Sequence, residues 1–159
     1  MKVTTTLLKS DVLNHNGRMY AAETLEQMKK QFDEMKMPLF GQFGYPGDAL
    51  IHLSNVSHQV NHVFIKRDRL PRKKKKELKK NNSYKQWKSR HTNLMGEIEI
   101  LDTPEVKKIK GMFAKTPESF AVRPIGIGTV NENKFVENYE FVSFSIINRE
   151  EDSYRGIIK

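Results

Sequence analysis

Between Lys66 and Arg90 the chain carries thirteen lysines and arginines against two acids, Asp68 and Glu77, a local balance of +11. Such a segment repels itself and has little to bury, so it adds nothing to a core. The folded body must therefore be built from the residues on either side. Those parts hold fifteen basic and seventeen acidic residues, a balance of −2. The formal charge of +9 is thus the property of one segment, not of the main surface. With 159 residues the chain makes one ordinary domain, large enough for a core without staples. It has no cysteine, which excludes a disulfide framework, a thiol nucleophile and cysteine zinc sites, and fits a reducing compartment. No apolar stretch approaches membrane-spanning length, and the start, MKVTTTLLKSDVLN, lacks the apolar region of a signal peptide. A soluble protein, intracellular at synthesis and with no membrane partner, is the expectation.

The β-branched run Lys2 to Leu8 reads as a strand, and the Asn-x-Asn-Gly of SDVLNHNGRMY as a turn. Leu25, Met28, Phe32 and Met35 recur at helical spacing, which predicts an amphipathic helix from Ala22 to Met37, ended by Pro38. Gly41 to Asp48 reads as a loop. Leu53 to Phe64 alternates as a strand, with Val56, His58, Val60, His62 and Phe64 on one face. Strand character returns at Leu94 to Leu101. Thr103 then caps a helix that begins at Pro104 and turns Val106, Ile109 and Phe113 inward. Phe120 to Val130 and Tyr139 to Asn148 are further strands. The predicted class is α+β, a compact and mostly antiparallel sheet or barrel with surrounding helices. One domain is expected over residues 1–148, with a basic, mobile insertion at 66–92 and a polar tail at 149–159.

Several side chains invite a chemical reading. His58 and His62 have a zinc-like spacing, but four residues along a strand separate the rings by roughly 13 Å, so no metal and no other cofactor is expected. Ser57 and His58 are adjacent on a strand, which should send them to opposite faces. Gly126 and Gly128 are followed by no helix start, so a strand bend explains them better than a phosphate loop. In the basic run, Arg72, Lys73, Lys74, Lys75, Lys76, Lys79, Lys80, Lys85, Lys88 and Arg90 could attract a polyanion, DNA or an acidic protein. Tyr84 and Trp87 would then stack on bases. The bland alternative for the run is a solvated loop.

Taken together, six segments carry a resemblance. Asn14-His15-Asn16-Gly17-Arg18-Met19-Tyr20 resembles the N-x-N-G-R-x-Y-P opening of the prohead (capsid maturation) proteases of tailed phages. Gly41 to Pro46, GQFGYP, is similar to their G-E-[LF]-[NG]-H-P motif, and Leu53 to Val60 to their L-x-x-V-S-H-x-I strand. Gly96 to Pro104 resembles their G-x-[IA]-x-[IV]-L-x-T-P passage, and Ser119 to Gly126 falls where they have G-[IV]-S-S-R-G-x-G. Phe141 to Ile146 matches their late strand, which often carries an aspartate. The matches keep the family's order over residues 12 to 148. The resemblance implies a compact β-barrel like that of the herpesvirus assembly proteases, with the basic run as an enlarged hairpin loop.

It also implies what has been lost. Family members use a histidine as base to a serine nucleophile. The histidine position corresponds here to Tyr45, whose phenol is a poor base at neutral pH, and the preceding acid to Gln42. The two serines correspond to Ala121 and Val122, and the late aspartate to Ser145. Arg123 is retained. The implied function is a catalytically inactive, prohead-protease-like assembly protein that binds capsid or scaffold chains, or further copies of itself. It would be made in the host cytoplasm and carried in the prohead or virion interior. One alternative is an active maturation protease with a relocated dyad, Ser119 with His58 or His62. Another is a virion accessory protein that binds nucleic acid through the basic run.

Overall fold

In the computed structural model, residues 1–13, 17–44, 46–48 and 50–148 are described. The order is β1 (Lys2–Lys9), α1 (Ala22–Glu34), β2 (Leu39–Gln42), β3 (Val56–Arg67), α2 (Arg72–Lys80), α3 (Tyr84–Arg90), β4 (Thr92–Ile100), α4 (Pro104–Lys115), β5 (Phe120–Val130) and β6 (Val136–Asn148). Single 3₁₀ turns at Leu53–Asn55 and Pro117–Ser119 precede β3 and β5. No helix among the described residues is long and apolar enough to cross a membrane.

The strands form a four-stranded antiparallel sheet, ordered β1-β4-β3-β2, and a separate β5–β6 hairpin. This confirms the α+β class and corrects the barrel, because no ladder closes the two sheets into one. They meet at both edges by other means. At one edge Phe43 forms a single parallel bridge with Ile146, and the Ser143 hydroxyl donates to the Phe40 carbonyl at 2.5 Å. At the other edge β1 bulges between Thr6 and Leu8. The carbonyls of Thr6 and Leu7 accept from the Arg123 guanidinium of β5, at 3.0 and 3.4 Å. A side chain thus occupies acceptors that a neighbouring strand would need.

A single apolar core lies between these layers. Leu25 and Met28 of α1 and Phe113 of α4 pack with Leu7, Val60, Leu94 and Ile98 of the sheet and Val122, Phe144 and Ile146 of the hairpin. The Thr103 side chain caps α4 by accepting from the Val106 N–H, as its sequence predicts. Helix α1 stops at Glu34, short of Met37, because its last turn closes from the Met35 N–H to the Phe32 carbonyl. The residues before Pro38 then turn extended into β2, which the sequence reading places partly in a loop.

Two register shifts reshape β3. Gln42 pairs with Val56 and Gly41 with His58, leaving Ser57 as an extra residue; Val60 pairs with Ile98 and His62 with Glu97, leaving Asn61 extra. Each bulge switches the faces of the residues beyond it. His58 and Val63 are consequently buried, whereas His62 is exposed and stacks on Phe64. The expectation that His58 and His62 share a face is therefore corrected.

The basic segment, expected as a loop, contains two helices. β3 and β4 pair up to Arg67 and Thr92, and α2 and α3 stand between them. Lysine, arginine, leucine and glutamate are good helix formers, and the turn after α2 is made by Asn82 at positive φ (57°).

Candidate functional site

The positions that the resemblance assigns to catalysis fall on β5, β6 and the end of β2. On the hairpin, Ala121 pairs with Ile147, Val122 with Ile146 and Arg123 with Ser145. Phe43 bridges Ile146, and the Gly44 N–H donates to the Ile146 carbonyl at 2.8 Å. The GQFGYP segment is thereby brought to the strand residue opposite Val122. Tyr45 itself, like Asn14 to Asn16 of the opening motif and the 149–159 tail, lies outside the described residues.

Ala121 and Val122 bring no hydroxyl to this meeting point; Ser145 brings one. Val122 and Ile146 belong to the core, and Ala121 is buried. Ser145 is fully buried, and its hydroxyl has no hydrogen-bond partner among the described residues. Arg123, 5% exposed, spends its guanidinium on main-chain carbonyls of β1 and on its neighbour Val122. A cation held this way ties two sheets together.

His58 sits beneath the same region. It is fully buried, and burial pushes its imidazole down to about pKa 4, against a smaller opposing effect of the Phe144 carbonyl. Nε2 and that carbonyl both crowd Gly41, and Nε2 has no hydrogen-bond partner among the described residues. Nδ1 is 2.9 Å from the Ser57 hydroxyl. This pairing contradicts the expectation that adjacent strand residues diverge; the bulge at Ser57 turns both side chains inward. Nothing in the sequence announces that bulge. Ser57 also lines a mostly apolar cavity of about 220 Å³ together with Ile100, Leu101, Val106, Phe113 and Ile146.

A serine and imidazole at this distance satisfy the first geometric condition for a dyad. Two facts oppose it. Ser57 has 0% exposure, so no substrate carbonyl reaches its oxygen, and a base of pKa about 4 accepts a serine proton poorly at neutral pH. Ser119 lies in the 3₁₀ turn before β5 instead of on the strand, its N–H closing on the Thr116 carbonyl, and it makes no hydrogen bond to His58. Gly126 and Gly128 sit at register shifts in β5, where a Cβ on Gly126 would lie 2.5 Å from the Glu140 carbonyl. They are strand bends.

The topology as a whole has a known counterpart. The fold is similar to that of the bacteriophage T4 capsid assembly protease, gp21. The likeness covers 92% of this chain and 80% of that one, with a TM-score of 0.64 and 15% sequence identity. At that identity it is a likeness of fold. No protein-family model and no curated protein matches the sequence.

Proposed function

We propose that this chain is a protease-like scaffold without proteolytic chemistry, which acts in the assembly of a phage head by binding capsid or scaffold chains. The observation that carries the reading is the meeting of Gly44, Ile146 and Val122. The segments that resemble the family's base and nucleophile motifs come together on a protease-like fold, while Ala121 and Val122 carry no hydroxyl. A fold kept without its chemistry retains surfaces for extended chains. The test is to mix the purified protein with capsid and scaffold chains of the same head. Association without cleavage is expected. Cleavage that is lost in Ser119→Ala or Ser57→Ala would overturn the reading.

The active-hydrolase alternative is favoured by one observation, the Ser57–His58 hydrogen bond. It requires the bulge to open, because the hydroxyl is closed to solvent.

A further inference from the structure

Helices α2 and α3 together carry ten lysines and arginines, from Arg72 to Arg90, against Glu77 alone. Within this helical hairpin the ammonium groups of Lys75, Lys79 and Lys88 converge on one ring, that of Tyr84, at 5.5, 5.4 and 5.7 Å from its centroid. None of the three is ion-paired to any described residue. The ring face attracts each cation but holds no full charge to neutralise three of them. An anion does.

Arg72, Lys75, Lys76 and Lys79 recur at spacings of three and four, so they share one side of α2, and all are exposed. Lys80 borders that side next to Lys76, Lys73 lies beyond it and Lys74 is on the far side of the helix, so none of the three joins the group over Tyr84. Tyr84 lies parallel to Trp87 (6.1 Å, 7°), and Trp87 to His91 (4.6 Å, 16°). The rings that the sequence offers to bases are already stacked on one another.

We infer that this face binds the phosphate backbone of double-stranded nucleic acid, with Lys75, Lys79 and Lys88 over Tyr84 as the seat of one phosphate and Arg72 and Lys76 beside it. The number of cations favours this partner over an acidic protein. The two helices carry ten against one acid, set all round α2, and a duplex meets them with the phosphates of two strands, about one charge per 1.7 Å. An extended acidic chain offers at most one carboxylate per about 3.3 Å. A single strand is disfavoured because its binders need aromatic faces left open for bases. The inference does not rest on the assembly reading.

The experiment measures binding of the full chain to a mixed-sequence duplex of about 20 base pairs across a salt series, since each phosphate neutralised contributes about 0.9 to the log–log slope. The triple variant Lys75→Gln/Lys79→Gln/Lys88→Gln is expected to lower that slope by about 0.9, the share of the one phosphate seated there. The matched triple Lys73→Gln/Lys74→Gln/Lys80→Gln should leave it nearly unchanged, and Lys75→Arg/Lys79→Arg/Lys88→Arg should keep binding. Trp87, the only tryptophan, should keep its emission when duplex binds. Equal slope losses in the two glutamine triples would overturn the seat. Tighter binding of the single strand with quenched Trp87 would overturn the duplex assignment, as would equal affinity for polyglutamate or for inorganic tripolyphosphate.

Discussion

At the residue scale, the groups that hold this molecule together are polar side chains buried among apolar ones. Arg123 is the clearest. Replacing it by Met leaves the Thr6 and Leu7 carbonyls without their donor, and a loss of about 2–3 kcal/mol in urea unfolding is expected. His58 sets a pH dependence of definite sign. Its folded-state pKa of about 4 lies below the ordinary 6.5, so the unfolded chain binds the proton more readily. The stability contributed is complete above about pH 6.5 and is lost as pH falls towards 4. Between pH 7 and pH 4.5 the loss should be about 2–3 kcal/mol, and His58→Asn should lack this component. Parallel pH profiles for the two proteins would contradict a buried neutral imidazole. The absence of hydroxyls at Ala121 and Val122 was legible in the sequence. The Ser57–His58 contact was not, because alternation along a strand says nothing of where a bulge interrupts it.

At the scale of elements, bulges and close approaches decide the architecture. Gly41 lies where β2, β3 and β6 converge, and a Cβ there would collide with the Phe144 carbonyl and with His58 Nε2. Gly41→Ala should cost about 3 kcal/mol or more in urea unfolding, whereas Gly111→Ala, on the open surface of α4, should not destabilise. The basic hairpin is held by the file of Tyr84, Trp87 and His91, by the His91–Asp68 pair and by the Thr92 hydroxyl, which donates to the Lys88 carbonyl. Tyr84→Ala should therefore lower amide exchange protection over residues 72–90 and leave β1, β4 and β3 unchanged. Most elements were readable from periodicity: β1, α1, β4, α4 and β5 lie within a few residues of their expected bounds. The two basic helices were hidden by their charge, since self-repulsion argued for a loop while helix propensity, read residue by residue, argued for what forms. The short β2 was masked by Gly41, which serves close packing, because Gly44 just beyond it does turn, at φ 79°.

For the molecule as a whole, two sheets joined at one edge by a single bridge with the Ser143 and Gly44 hydrogen bonds beside it, and at the other by Arg123, give a protease-like fold without a closed barrel. The α+β class followed from strand and helix order. Closure did not, because it depends on how β1 and β2 meet the hairpin, and those seams are made by side chains and one bulge. The account stands on the claim that this fold holds no serine able to attack. The direct measurement is labelling of the full chain with a serine-reactive fluorophosphonate, alone and bound to head chains, followed by peptide mapping. The account predicts no adduct in either state. An adduct on Ser57, Ser119 or any other serine, removed by mutation of His58, would contradict it.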